Sequence, residues 1–130
     1  MSIFRGDASE IYELAGDLSQ VGAKAVPAMR GVMDEAGKAL AKEWQANARE
    51  TSGTHGKHYP NSIDSELVFG VGSIAVEAGP NAAMKQGSMG RGFEFGSRNS
   101  PPHLDGLRAL DGIQGRAERM IDAAVGHLFP

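Results

Sequence analysis

Four side chains capable of acid–base or metal chemistry stand out first: His55, His58, His103 and His127. His55 and His58 lie three apart in the glycine-rich run Gly53–Asn61. A metal site needs further ligands held rigidly, and the nearest acid, Glu50, lies across Gly53 from His55 and across Gly53 and Gly56 from His58. That run therefore reads as a solvated loop. The acids Asp64, Glu66, Glu77 and Glu94 are candidates for a carboxylate pair. Asp64 and Glu66 alternate with apolar residues, which places them on the wet side of a half-buried strand. Nothing in the pattern sets two acids in the apolar pocket that would shift a pKa for catalysis. No Gly-x-Ser-x-Gly elbow occurs. Gly87-Ser88-Met89-Gly90-Arg91-Gly92 has the glycines of a phosphate loop but lacks the Gly-Lys-Ser/Thr ending, and reads as a mobile loop that orders on a partner. The chain has no cysteine, which excludes thiolate catalysis, cysteine zinc sites and disulfides.

Charge is unevenly placed along the chain. Lys85, Arg91 and Arg98 against Glu94 make residues 85–98 locally basic, whereas Arg5 against Asp7, Glu10, Glu13 and Asp17 makes the first 17 residues acidic. Such unlike surfaces on one subunit suit head-to-tail pairing between copies, the geometry by which rings close. The overall net charge of -3 gives no general attraction to nucleic acid or to an anionic membrane. No apolar run approaches the roughly 18 residues of a membrane helix, and the start of the chain lacks the layout of a signal peptide. A soluble protein made in a cytoplasm is expected.

The elements that must carry these residues follow from periodicity. With 130 residues the chain is sized for one domain. Residues 7–18 read as a short helix, with Ile11, Leu14 and Leu18 at helical spacing, in an N-terminal helical extension over 1–20. A long helix is expected from about Val21 to Glu50, striped by Val26, Met29, Met33, Ala36, Leu40 and Trp44. Trp44, the single tryptophan, is expected to anchor the core. After the loop 53–61, Ile63-to-Phe69 and Ile74-to-Ala78 alternate like strands around Gly70-Val71-Gly72-Ser73 and predict an antiparallel hairpin. A flexible loop spans 79–92. Phe93-Glu94-Phe95 reads as a short strand or a helical turn. As a strand, it would turn both aromatics inward and leave Glu94 outside to meet an Arg or Lys. Arg98 to Pro102 is a stiff break. Leu104, Leu107 and Leu110 suggest a short helix, and a final helix runs from Gln114. The order predicts an α+β domain: a long N-terminal helix packed on a small antiparallel sheet, with a C-terminal helix.

The segment Phe93-Glu94-Phe95-Gly96-Ser97, followed by Pro101-Pro102, Leu104, Leu107 and Ala109-Leu110, resembles the signature of the tail-completion (minor tail, or neck) proteins of long-tailed phages. That signature runs aromatic, Glu, aromatic or apolar, Gly, Ser or Thr, then a proline turn and a short helix ending in Ala-Leu. The long early helix, the Asn61-Ser62-Ile63 segment, the Val76-to-Pro80 strand end and the C-terminal helix agree in order. The likeness spans most of residues 25–128, and departs at His103, where an aromatic is common. It implies a non-enzymatic virion protein of the head–tail junction, assembled in the host cytoplasm, with no cofactor or metal. It implies a homo-oligomeric ring, hexameric by expectation, seated between head-completion or connector proteins and a tail terminator or tail tube, through which DNA passes without specific binding. Lys85, Met89, Arg91, Glu94 and Arg98 are the candidate inter-subunit contacts. A second function class is a small hydrolase or nucleic-acid-processing enzyme using Glu94 with His55, His58 or His103. A third, a nucleic-acid-binding module, has few basic residues and little aromatic surface for stacking.

Overall fold

The computed structural model describes residues 2–6, 12–17, 26–70, 73–98 and 101–128. Strands β1 (Ser2–Gly6) and β2 (Tyr12–Asp17) come first, then helix α1 (Val26–Thr51), strands β3 (Ile63–Gly70) and β4 (Ser73–Pro80), a short helix α2 (Gly90–Phe95) and helix α3 (Asp105–Leu128). The strands form one antiparallel sheet in the order β1-β2-β4-β3. The architecture is α+β, with both long helices on one face of the sheet.

Helix α1 buries Met29, Met33, Ala36, Leu40, Trp44 and Ala48, a step of three or four residues throughout, as an amphipathic helix requires. Pro27 sits in its first turn, where a missing N–H is harmless. Gly53, at a φ of 62°, follows its end as a left-handed cap. A Cβ at Gly37 would fall 2.0 Å from Val76 Cγ2, so the helix crosses β4 closely at that point. Helix α3 lays Ala109, Leu110, Ile113, Ala117 and Ile121 on the same core. From the sheet, Tyr12, Leu14, Ile63, Ile74, Val76 and Ala78 face them.

Three expectations need correction. Where residues of the helix read at 7–18 and of the helical extension over 1–20 are described, they form strands: Tyr12 to Asp17 pairs residue for residue with β4, and Tyr12 to Gly16 with β1. Tyr12 and Leu14 are buried and Glu13 is less so, a period of two that the Ile11–Leu14–Leu18 spacing masked. Residues 7–11 and 18–25, including the expected start of the long helix at Val21, lie outside the described residues. The two helices expected after residue 104 are one, because the apolar step runs from Leu110 through Ile113 to Ala117 without interruption by Gly112 or Gly115. The loops 53–61 and 79–92 are shorter than expected: Pro60–Ser62 and Gly87–Met89 are 3-10 turns, and α2 begins at Gly90. Phe69 lies on the same strand face as Ile63 and Leu67, opposite Ile74. It is half exposed, with the Arg30 guanidinium 5.6 Å from its ring centre.

Candidate functional site

The signature segment folds into a tight reversal. Phe93-Glu94-Phe95 is the last turn of α2, not a strand, and Gly96 breaks it at a φ of 83°. The chain then returns: His103 N–H donates to the Phe93 carbonyl at 2.9 Å and Leu104 N–H donates to the Glu94 carbonyl at 3.0 Å. Helix α3 starts at once, its first bond running from Arg108 N–H to the Leu104 carbonyl. Leu104 is therefore the N-cap residue, and it sits at a φ of 54°, a conformation that costs a non-glycine residue about 1 kcal/mol or more. A leucine offers no side-chain oxygen to the free N–H groups of the first turn.

Glu94 supplies that oxygen. Its carboxylate accepts from Gly106 N–H at 2.8 Å on Oε1 and from Leu107 N–H at 3.0 Å on Oε2. These are the second and third helical residues, the donors that a local N-cap side chain would satisfy. The negative charge also lies at the positive end of the helix dipole. Oε2 accepts a third bond, 2.7 Å from the Tyr12 hydroxyl on β2. Burial, then the bond to Glu94, push the Tyr12 phenol well above its ordinary value, so it remains a donor at neutral pH. Glu94 is fully buried. This corrects the expectation that it faces a partner: a helical turn, unlike a strand, turns Glu94 into the protein and leaves Phe95 37% exposed.

Asp105 builds a second tie beside the first. It is fully buried; its Oδ2 accepts from Thr51 Oγ1 at 2.7 Å and its Oδ1 from Arg108 Nη2 at 2.7 Å. Its carbonyl accepts from Asn47 Nδ2 at 3.0 Å. The end of α1 is thus bound to the start of α3. Gly106 lets the helix approach this closely: a Cβ there would lie 2.7 Å from Trp44 Cε2 and from Tyr12 Cε2. Trp44 is fully buried and meets Tyr12 edge-on at 5.4 Å. Phe93 stacks on Tyr59 at 4.5 Å and meets the His103 ring at 5.7 Å. His103 Nδ1 stands 3.8 Å from Asp105 Oδ2.

The remaining predicted residues divide between bracket and surface. Leu110 is buried, Leu104 and Leu107 are partly so, and Ser97, Pro101 and Pro102 are exposed. Lys85 and Met89 before α2, Arg91 on it and Arg98 after it are exposed. Gln86 pins this segment to the 53–61 loop. Its amide accepts from His58 N–H at 2.6 Å and donates to the His55 carbonyl at 2.6 Å. His55 and His58 thus serve through their backbone, and no group of three or more His, Cys, Asp or Glu that could hold a metal occurs among the described residues.

Sequence reasoning missed Tyr12, Gln86, Asp105 and Gly106. For Tyr12 the usable signal was the alternation Tyr12-Glu13-Leu14. For Gly106 no local signal exists, since its need for glycine comes from rings on other elements. No protein-family model, curated protein or solved structure matches this chain.

Proposed function

We propose that the chain is a structural subunit of a phage head–tail junction, present as a ring of copies that completes the tail, joins it to the head and leaves a channel for DNA. The observation that supports this reading is the fate of the signature segment. Its acid, Glu94, is committed to a bracket joining β2, α2 and the start of α3, while Lys85, Met89, Arg91 and Arg98 around it are held at the surface. A motif used in this way supports a scaffold that presents a fixed surface. A net charge of -3 suits a conduit that does not grip DNA. The hydrolase reading requires Glu94 to meet a substrate, and both of its oxygens are already accepting hydrogen bonds inside the protein.

Electron microscopy of particles made without this protein tests the assignment. Tailless heads beside unattached tails are the expected outcome. Normal, infectious particles would overturn it.

A further inference from the structure

Strand β3 is one edge of the sheet, and its first residues fix the direction of its backbone groups. Ser62 turns its carbonyl toward β4, where it accepts from Asn81 N–H at 2.8 Å. Ile63 turns away: its N–H donates to the Pro60 carbonyl, and its carbonyl accepts from Gln45 Nε2 at 2.7 Å. Residues of an antiparallel strand alternate between the two directions. Asp64, Glu66 and Val68 therefore bond to β4, whereas Ser65, Leu67 and Phe69 point their N–H and carbonyl groups outward. These outward groups of Ser65, Leu67 and Phe69 have no partner among the described residues.

An open edge is a template for another strand, and folds usually blunt it with proline, lysine, a bulge or a short length. Strand β3 has eight residues, with neither proline nor lysine, and pairs with β4 residue for residue without a bulge. On the helix side it also offers apolar surface: Leu67 is partly exposed and Phe69 half exposed. Leu67 lines a groove of about 300 Å3 with Pro27, Arg30, Gly31 and Asp34 of α1. Gly31 keeps that groove open, since nothing lies within 4 Å of where its Cβ would be.

We propose that the outer edge of β3 pairs with the same edge of a second copy, antiparallel and about a two-fold axis at Leu67, so that two four-stranded sheets become one. The free stretch itself selects this occupant. It runs from Ser65 to Phe69, so its complete overlap with itself sets Leu67 opposite Leu67 and Ser65 opposite Phe69. Every outward N–H and carbonyl then finds a partner across the axis. On the helix-free side Glu66 meets Val68 of the other copy. A register shifted by two residues would instead oppose the two Glu66 side chains, or leave part of the free stretch unpaired. Each Phe69 ring comes diagonal to the other copy's Leu67, beside the groove. A two-fold pair closes at two copies, so it is a state of the free protein, beyond the ring reading and independent of it.

Sedimentation velocity of the full chain across a concentration series tests the pairing, with a thermal melt of every variant. The wild-type chain should pass from monomer to dimer. Ser65→Pro deletes an outward N–H and leaves the bonds to β4 in place, which an edge strand tolerates; dimerisation should weaken about tenfold or more. Ser65→Thr keeps that N–H and should dimerise like the parent. The chain has no cysteine, so single cysteines read the register, and they do so even where Ser65→Pro lowers stability. Leu67→Cys sets two thiols across the axis, with Cα atoms about 5.5 Å apart and within disulfide reach, and should cross-link on mild oxidation. Phe69→Cys sets them about 14 Å apart along the strands and should not. A chain that stays monomeric throughout would overturn the proposal. So would a dimer indifferent to Ser65→Pro, or one that cross-links through Phe69→Cys as readily as through Leu67→Cys. Larger species lost together with the dimer in Ser65→Pro would assign the edge to β1 of another copy and overturn the two-fold pairing. The virion role is tested separately, on particles lacking the protein.

Discussion

Replacing Glu94 by alanine removes one acceptor from three donors at once. Gly106 N–H and Leu107 N–H lose their cap, and loss of an N-cap costs about 0.5–2 kcal/mol. The Tyr12 hydroxyl, buried behind them, loses its only hydrogen-bond acceptor seen among the described residues, and an unsatisfied buried donor costs about 1–3 kcal/mol. Leu104 cannot compensate, since it has no polar side chain and already holds a left-handed conformation. The expected loss is about 3–4 kcal/mol, a large share of the roughly 5–15 kcal/mol that holds a domain folded. Glu94→Gln keeps the shape and one carbonyl oxygen, and the Tyr12 hydroxyl can rotate to accept from the new amide, so about 1–2 kcal/mol is expected. Urea unfolding followed by Trp44 fluorescence measures both, because that single tryptophan is fully buried against Tyr12. A Glu94→Ala chain within about 1 kcal/mol of the parent would refute the bracket as a tertiary cap.

Three further outcomes follow from the same geometry. Gly106→Ala and Gly112→Ala make the same change in one helix, which propensity alone would favour by about 1 kcal/mol at both. Stability should fall by about 1–3 kcal/mol at Gly106, where the methyl meets Trp44 and Tyr12, and rise at Gly112, where nothing lies within 4 Å; calorimetry reads the opposite signs. Because the Tyr12 phenol is raised above its ordinary 10.0, the folded state favours the protonated form. Its contribution is fully present below that pH and is lost as the pH rises through the higher folded value, so stability should decline above about pH 10 and decline less steeply in Tyr12→Phe. Gln86→Gly keeps a backbone suited to its φ of 62° but deletes the amide clamp on His55 and His58. Hydrogen exchange at the His58 amide should accelerate with a global stability change below about 1 kcal/mol.

The parts of this fold that could be read from sequence are those whose signal is local and long. The stripe Met29 to Trp44 extends over several turns and the apolar steps of α3 from Ala117 onward do likewise, whereas Gly112 and Gly115 masked the continuity of α3 with its first turns. The β3–β4 hairpin closes over a short connection between Gly70 and Ser73. Strand β2 was not legible in this way. It is a six-residue strand, too short to separate periods of two and four, and its partner β4 lies about sixty residues on; tertiary pairing overrode a plausible local helix. The triplet Phe93-Glu94-Phe95 is shorter still. A strand exposes its acid and a helical turn buries it, and only the distant Tyr12 and the start of α3 decide between them. Asp105 carries a similar lesson. It looks like the natural N-cap of its helix, yet it occupies the first helical position and spends its oxygens on Thr51 and Arg108.

This division between bracket and surface separates two ways in which a substitution can impair assembly. Glu94, Tyr12, Asp105 and Gly106 act on the direction in which α2 leaves the core, so changes there should lower assembly only as far as they lower folding stability or loosen segment 84–98. Lys85 and Arg91 touch none of those bonds, and both are exposed; changes there should alter assembly at constant stability. Plotting association against unfolding free energy for both groups should therefore give two trends: a slope for the bracket variants and a vertical offset for the surface variants. If Lys85→Glu and Arg91→Glu fell on the bracket line, the charged surface would have no role separate from folding. If Glu94→Gln left stability near the parent value and still abolished association, Glu94 would have to reach a partner after all, and the buried geometry that assigns it to the bracket would not persist in the assembled state.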